Sequence, residues 1–493
     1  MRGPHGTRGS HGDKGPHGTT DPGRGPGLPG RPAAPGPRTD RGRLLLVLLL
    51  AAAVTVFTAT VPLLRGFFDL RVYYGAVHTW AHHGGRIYDY RVPGTSYGFT
   101  YPPFAAVAML PLAPLGRTTA IVVSLLVNLA ALAAILRILA GPDWRRHGWY
   151  RWALCLCVLA LFEPLRDTVS FGQVNLVLLG LVLGDCLLLS TGRGRWAGAG
   201  IGLAAAVKLT PALFIGLLLL AGRRRAAGTA SAVAAAATAL AAWADPAASR
   251  FYWTEALWDT GRVGRLDYVS NQSLQGILAR LGETGRPLWA TAVLLTLCVW
   301  AWRGRRAVEA GDWTAAFALT GAAACLVSPI TWVHHLVWLL PSFAVLLRAG
   351  RLRTAAALYA VLCTSVVWLW VDDASGLDGF LGGNTYTWIS LGLLLRLPTG
   401  QTRVARLPLA RSARATAPAP SPESPATTAV PDQPESSSGA GAPAAATGAA
   451  DASVREGGRS PSREPTGSTC PSAAKPQSSS ARASSYTVNP PSA

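Results

Sequence analysis

Long apolar blocks alternate with short polar connections across the middle of the chain. Reading these blocks against Pro, Gly and Arg predicts twelve membrane-spanning helices. Their ranges are 44–64, 119–140, 152–164, 173–190, 196–207, 210–222, 226–243, 287–302, 313–327, 332–348, 353–371 and 384–397. Several are shorter than the ~20 residues of a full span, so we expect some to be broken or extended by their flanks. The pattern predicts an all-α, polytopic integral membrane helical bundle over 44–397.

The two ends of the chain differ in composition from this central part. Residues 1–43 and 398–493 consist mostly of small, polar and basic residues with Pro and Gly, and contain few bulky apolar side chains. Such segments bury too little apolar surface to offset the conformational entropy that ordering removes. We predict a basic, Pro/Gly-rich disordered tail over 1–43 and a Pro/Ser/Ala-rich disordered tail over 398–493.

The composition excludes a water-soluble enzyme. Of the 493 residues, 50% are hydrophobic and only 14% are charged. The net charge of +20 raises nucleic-acid binding as an alternative. However, most mid-chain arginines stand in pairs and triplets at the ends of apolar blocks, where they orient helices toward the cytoplasm. We therefore expect no nucleic-acid partner.

The arginines also predict how the chain is threaded through the membrane. With both tails in the cytoplasm, fourteen arginines fall in cytoplasmic connections. They are Arg145, Arg146, Arg151, Arg193, Arg195, Arg223, Arg224, Arg225, Arg303, Arg305, Arg306, Arg348, Arg351 and Arg353. The short connections on the opposite side hold little beyond Arg166 and Lys208. This asymmetry predicts cytoplasmic tails and two long external loops, at about 65–118 and 244–286.

The first external loop contains two segments that we expect not to span. Counting 102–115 as a span would move every later arginine cluster outside, so we assign this Pro-rich segment to an interfacial or re-entrant position. Earlier in the loop, apolar residues recur at helical spacing before Gly84 and Gly85: Leu70, Tyr73, Tyr74, Val77 and Trp80. They predict a short amphipathic helix along the outer membrane surface.

With this topology, polar residues from distant segments converge on the external face. They are Asp69, Tyr101, Glu163, Arg166, Gln173, Asn175, Lys208, Asn271, Gln272, Ser273, Ser328, Trp332, His334 and His335. Ionisable groups beside membrane spans are costly, about 2.5 to 3.5 kcal/mol each at a helix centre, so a collection of this kind usually marks a functional site.

Each residue taken alone also has a simpler interpretation. Asp69 is a candidate ion-pair partner for Arg65 or Arg71, and Lys208 is a candidate for snorkelling toward the interface. His334 and His335 point about 100° apart on a helix, so at most one should face a site.

The sequence limits the chemistry that such a face can perform. It contains no Walker A loop, no Asp-x-Asp, no HExxH and no CxxC motif, and its cytoplasmic loops are too short for a nucleotide-binding domain. A G-x-G-x-x-G spacing occurs only at Gly25–Gly30, in the Pro/Gly-rich tail, where the sequence predicts no strand before it. We therefore expect no cofactor and no metal. If the protein is an enzyme, its activated substrate should arrive within the membrane. A lipid-phosphate-linked donor fits, because Lys208, Arg166 or an imidazolium can hold the departing phosphate.

Six short motifs in order resemble glycosyltransferase family 87, the actinobacterial polyprenol-phosphate-mannose-dependent α-(1,2)-mannosyltransferases of the GT-C superfamily. They are Asp69-Leu-Arg-Val-Tyr-Tyr, Phe99-Thr-Tyr-Pro-Pro-Phe, Gly172-Gln-Val-Asn, Lys208-Leu-Thr-Pro, Asn271-Gln-Ser-Leu and Ser328-Pro-Ile-Thr-Trp-Val-His-His. The similarity covers about 44–397, and the tails lie outside it.

The resemblance implies metal-independent, inverting transfer of mannose from a polyprenyl-phosphate donor to a glycan or glycolipid on the extracytoplasmic side of the cell membrane. Asp69 would be the general base, and His334 or His335 would orient the acceptor, assist proton transfer or contact phosphate. Lys208 and Arg166 would stabilise the phosphate. The remaining candidates would bind the sugar, by hydrogen bonds from the amides or by ring stacking: Gln173, Asn175, Asn271, Gln272, Trp332 and Tyr101.

Three alternatives stay open at this point. A polytopic lipid or solute transporter would also carry polar residues in the membrane, but it should show internal repeats and access from both sides, and the sequence shows neither. A non-catalytic scaffold needs no convergent polar face. Within the enzyme class, another lipid-linked sugar, such as an arabinosyl or glucosyl unit, is the main competitor, and the acceptor is not specified.

Overall fold

Helices form all of the regular structure in the described part of the chain, as expected for an all-α protein. The computed structural model describes residues 39–60, 65–141, 148–282 and 285–400. Within them the α-helices are α1 (Asp40–Thr60), α2 (Phe68–His83), α3 (Pro103–Met109), α4 (Arg117–Ala140), α5 (Trp149–Leu161), α6 (Glu163–Phe171), α7 (Asn175–Ser190), α8 (Ala199–Val207), α9 (Leu213–Leu220), α10 (Arg224–Ala244), α11 (Pro246–Phe251), α12 (Leu274–Arg280), α13 (Arg286–Glu309), α14 (Trp313–Val327), α15 (Leu340–Arg348), α16 (Leu352–Cys363), α17 (Gly376–Gly382) and α18 (Thr385–Arg396).

All described residues belong to one compact unit, Met1–Ala413. The predictions for most of the 1–43 tail, for nearly all of the 398–493 tail and for Arg145 and Arg146 lie outside the described residues.

Within the described residues, three helices are long and apolar enough to cross a membrane: α1, α4 and α10. A fourth span is possible if α6 and α7, which meet at an angle of 117°, act as one broken span. Several other apolar helices have 10 to 17 residues, which is shorter than a full span. These apolar helices support the prediction of a helical membrane protein. The number of twelve spans stays a prediction.

Helix α14 forms the centre of the bundle. Thirteen of its 15 residues, from Trp313 to Leu326, are buried, and it contacts α7, α9, α13, α15 and α18. A helix that is apolar on all sides is stable only when neighbours cover it completely. Gly321 lies where a Cβ atom would come within 2.7 Å of the Trp338 carbonyl oxygen, so a small residue is needed for the chain after α14 to pack this closely.

The predicted amphipathic helix exists as α2, but its apolar face has a different partner. Leu70, Tyr73 and Val77 are buried inside the protein, at 4%, 4% and 0% exposure. Helix α2 packs on α3, α4 and α6. The placement of this face against the outer membrane surface is therefore wrong, because the protein itself covers it.

Residues 102–115 form a short helical segment that is too short to span. Helix α3 is followed by a 3₁₀ turn at Leu110–Leu112, and Ala105 and Ala106 are fully buried where α3 packs against α8 and α10.

Several boundaries differ from the sequence prediction. Helix α1 begins at Asp40, inside the tail that was predicted to be disordered over 1–43. The supposed connection at 164–173 is helix α6, the block 353–371 breaks at Ser365, and α13 continues to Glu309 instead of ending near 302. Ser365 has a left-handed backbone (φ 56°), so a 3₁₀ turn at Val366–Trp370 follows α16 in a new direction. Hydropathy alone does not register such breaks, because apolar residues continue through them.

Candidate active site

The start of α2 places Asp69 against the junction of α6 and α7. Gly66 and Phe67 both have left-handed backbones (φ 56° and 52°), which turns the chain sharply into α2. The Phe67 N–H donates to the Ser170 carbonyl at 2.8 Å and so fixes the turn to the end of α6. A left-handed conformation is costly for Phe, and such strain is often retained at functional sites.

The junction between α6 and α7 supplies the residue that contacts Asp69. Gly172 has φ 71°, and a Cβ there would approach the Leu70 Cβ to 2.6 Å, so glycine is required on both grounds. The chain reverses at Gly172, and the Gln173 Nε2 group donates to Asp69 Oδ2 at 2.5 Å. The Gly172-Gln-Val-Asn motif thus brings an amide to the carboxylate.

A continuous hydrogen-bonded network leads away from Asp69. The Tyr101 hydroxyl donates to Gln173 Oε1 at 2.8 Å and accepts from Tyr73 at 2.9 Å. Lys208 Nζ donates to the Tyr101 hydroxyl at 3.3 Å and to Asn175 Oδ1 at 3.2 Å. Residues from four separate segments therefore join a carboxylate to an amine through neutral polar groups.

The two histidines take different places. His335 Nε2 lies 2.8 Å from Lys208 Nζ, whereas the His334 ring lies 5.0 Å from the Phe171 ring, and its buried Nε2 has no hydrogen-bond partner. Thr168 and Asn175 bind the His334 carbonyl at 2.8 and 3.3 Å. Of the two imidazole rings, only that of His335 joins the Lys208 network.

The proton on His335 is coupled to the charge of Lys208. The Trp332 backbone N–H donates to His335 Nδ1 at 3.2 Å, so the neutral ring carries its own proton on Nε2. That proton can be donated to Lys208 only when the amine is unprotonated. A protonated Lys208 requires the ring to give up the Trp332 bond or to move.

Asp69 is a carboxylate with a raised pKa. Burial raises the pKa of Asp69 to about 6, against the opposing effects of the Gln173 hydrogen bond, of the charge on protonated Lys208 and of Arg65. Such a group is ionised at neutral pH and still basic enough to take a proton. It pairs with neither Arg65 nor Arg71 in the described residues, since Arg65 Nη2 faces Asp167 Oδ2 at 3.6 Å.

Besides the His334 ring, four further candidates from the sequence lie outside the network. Arg166 donates to Ser365 at 2.9 Å and stacks over Phe57. Trp332 packs edge-on against Tyr268, with ring centroids 6.1 Å apart. The other two, Asn271 and Gln272, have fully buried amides that bond to the protein itself.

Gln272 has no hydrogen-bonding capacity left for a sugar. Its Nε2 donates to the Val269 and Gly383 carbonyls, and its Oε1 accepts from the backbone N–H groups of Tyr386 and Thr387. Asn271 similarly joins Leu266, Pro329 and Thr331. A role for Asn271 and Gln272 as sugar ligands stays a prediction that this geometry does not support.

Sequence reasoning left several buried polar residues around the site without a role. Glu163 accepts hydrogen bonds from Trp368 (2.7 Å) and Tyr386, and Asp167 faces Arg65. The two carboxylates stand four residues apart on a helix that the sequence analysis assigned to a loop. Glu163 was already among the converging polar residues, whereas Asp167 was not, and its helical spacing from Glu163 is the signal that would have found it.

Within the described ranges, no three His, Cys, Asp or Glu side chains lie close enough together to bind a metal ion. Two apolar cavities of about 500 Å³ lie elsewhere, one bounded by Leu358, Trp388 and Leu393 and the other by Gly216, Leu297 and Trp300. Neither includes a residue of the network.

Comparison with known proteins identifies the family. The family described as "Glycosyltransferase family 87" matches residues 99–329. A Mycobacterium tuberculosis protein named polyprenol-phosphate-mannose-dependent alpha-(1-2)-phosphatidylinositol mannoside mannosyltransferase is 33% identical over 72% of this chain and 89% of its own length. The chain belongs to glycosyltransferase family 87. The resemblance inferred from the sequence motifs is thereby confirmed.

Two Mycolicibacterium smegmatis relatives extend this result. A protein with the same name as the M. tuberculosis relative is 33% identical over 61% of this chain and 76% of its own length. A phosphatidylinositol pentamannoside mannosyltransferase is 34% identical over 67% of this chain and 83% of its own length. No solved structure matches the chain. As a glycosyltransferase of family 87, the protein is an enzyme, and the network around Asp69 is its candidate active site.

Proposed function

We propose that the protein transfers mannose from polyprenyl-phosphate mannose to a phosphatidylinositol mannoside or a similar glycolipid, with inversion at the anomeric carbon. The donor and acceptor classes come from the names of relatives that are 32 to 34% identical. The observation that carries the proposal is the network from Asp69 through Gln173 and Tyr101 to Lys208, because it holds a base and a cation on one connected frame.

In this proposal Asp69 is the general base. An acceptor hydroxyl attacks the anomeric carbon, its proton passes to the Asp69 carboxylate, and the bond from the anomeric carbon to the phosphate oxygen breaks. The pKa of about 6 suits this task near neutral pH. Gln173 keeps one carboxylate oxygen in place, which leaves the other to face the acceptor.

Lys208 would stabilise the phosphate that leaves on the polyprenyl chain. A cation held by neutral partners is well suited to this role, because it can turn toward an arriving anion without breaking an ion pair. Phosphate is already a good leaving group, so charge stabilisation from side chains is sufficient and we propose no metal or cofactor. His335 and Asn175 would orient the amine.

The arginine distribution along the sequence supports an orientation with both tails cytoplasmic and the active site on the extracytoplasmic side of the cell membrane. A lipid-linked donor and a glycolipid acceptor would then both reach Asp69 from the outer leaflet. The short helices around the site are consistent with a polar chamber set within the bilayer, since broken helices are tolerated where protein covers them.

A transfer assay tests the proposal. Membranes that contain the protein are supplied with labelled polyprenyl-phosphate mannose and a panel of phosphatidylinositol mannosides, and then with the corresponding glucosyl and arabinosyl donors. We expect labelled mannolipid with an α linkage, and little product from the other donors. Transfer of another sugar, or movement of label across the membrane without a new glycosidic bond, would overturn it.

A further inference from the structure

Arg65 is a cation beside the site that the sequence analysis considered only as a partner for Asp69. It stands four residues before Asp69, on the other side of the left-handed Gly66–Phe67 turn. The Phe68 N–H donates to the Arg65 carbonyl at 3.1 Å, and the Phe67 N–H to Ser170 at 2.8 Å. The same turn therefore fixes the backbone of both charged residues against the end of α6.

Aromatic rings restrain the Arg65 guanidinium. Its Cζ atom lies 4.6 Å from the ring centre of Trp368 and 5.3 Å from that of Phe171. The Phe171 ring also contacts the His334 ring, whose Nε2 is buried without a partner. Stacking over aromatic faces fixes the plane of the guanidinium and therefore the directions of its N–H groups. The group is then preorganised to bind an anion.

The hydrogen-bonding capacity of Arg65 is unused on one edge. Its side chain is only 19% exposed, and the buried Nε and Nη2 atoms have no hydrogen-bond partner. Asp167 lies 3.6 Å from Nη2, which is an ion-pair distance and too long for a hydrogen bond. Buried donors are normally satisfied, so this edge can take an acceptor, and Asp167, whose Oδ1 also has no partner, is the protein's own competitor for it.

We propose that Arg65 binds the phosphate of the lipid-linked donor through its Nε and Nη2 groups, an inference that rests on the proposed function. Nε and Nη2 form the edge of the guanidinium that grips two oxygens of a phosphate at once. Lys208 would hold the phosphate as a point charge from within the network. The phosphate would thus lie between two cations, with Asp69 in electrostatic reach of both.

Steady-state kinetics on Arg65→Gln and Arg65→Lys test this role. We expect Arg65→Gln to raise the donor KM, and the inhibition constant of the product polyprenyl phosphate, at least tenfold, with the acceptor KM unchanged. Arg65→Lys should recover part of the loss, because it restores charge without the two-pronged edge. The matched control is Arg71→Gln, an exposed arginine of α2 that lies over Phe68, and it should change neither constant.

A second variant separates phosphate binding from a structural ion pair. If Arg65 serves only to neutralise buried Asp167, the double variant Arg65→Gln/Asp167→Asn should recover both the thermal stability and the donor KM. If Arg65 binds phosphate, stability returns but the donor KM stays high. Recovery of the donor KM, or an unchanged KM in Arg65→Gln, overturns the inference. Absence of mannosyl transfer by the wild type would instead contradict the proposed function.

Discussion

Two buried glutamines, Gln173 and Gln272, each lie in one of the short family motifs, but their hydrogen-bond partners differ in kind. Gln272 is fully buried, and every donor and acceptor of its amide is used by the protein. Gln173 is 4% exposed and binds Asp69 and Tyr101, which are themselves linked to a titratable amine. The role of a polar residue in a motif therefore follows from the chemistry of its hydrogen-bond partners and not from its presence in the motif.

Removing the base should have the largest effect. Asp69→Asn keeps the shape and the contact with Gln173 but cannot accept the acceptor proton, so we expect kcat to fall by about 10² to 10⁴. The measurement is mannosyl transfer in membranes at matched protein levels, with thermal unfolding in detergent as the control for folding. Full activity in a folded Asp69→Asn protein would remove the base assignment.

Matched substitutions at the two glutamines should separate turnover from stability. Gln173→Leu removes a hydrogen bond to a charged group, about 1.5 to 3 kcal/mol, so we expect turnover to fall roughly ten- to a hundredfold. Gln272→Leu leaves the buried N–H groups of Tyr386 and Thr387 without an acceptor, at about 1 to 3 kcal/mol each. It should therefore lower the unfolding temperature.

Turnover per folded molecule should change little in Gln272→Leu. Activity and thermal unfolding of both variants, measured in parallel, would test this contrast. A turnover defect in a stably folded Gln272→Leu protein would mean that this amide also serves the substrate.

The pH dependence of kcat/KM should be the smallest effect, and it should change gradually with pH. Because Asp69 must be ionised to act, kcat/KM should show an acid limb, rising with pH up to about 6 and falling about tenfold per unit below that value. Stability should change in the opposite direction. The raised pKa means that the contribution of Asp69 to folding is present below its unfolded value of about 3.8 and is lost as the pH rises through about 6.

A pH–rate profile of the wild type measures this limb, and the residual activity of Asp69→Asn should lack it. An acid limb that persists unchanged in the variant would assign the titration to another group.

The sequence predicted the network around Asp69 better than it predicted the helices. Asp69, Tyr101, Gln173, Asn175, Lys208 and His335 were all identified, because polar groups in apolar surroundings are conspicuous. Arg65 was not given a role of its own, since its significance depends on Phe171 and Trp368, which are distant in sequence. The helix α6 was missed because its buried face carries charges, which hydropathy reads as a loop.

Because the protonation of His335 and of Lys208 is coupled, donor binding should be accompanied by proton uptake. In the arrangement in which the Trp332 N–H bonds Nδ1, His335 can donate its Nε2 proton only to an uncharged Lys208 amine, so this pairing opposes protonation of the amine. The incoming donor is a phosphodiester with one negative charge and favours the ammonium form, so donor capture would draw a proton from the buffer and release of the spent carrier would return it. Alkaline media would then weaken loading even where the carboxylate is fully active.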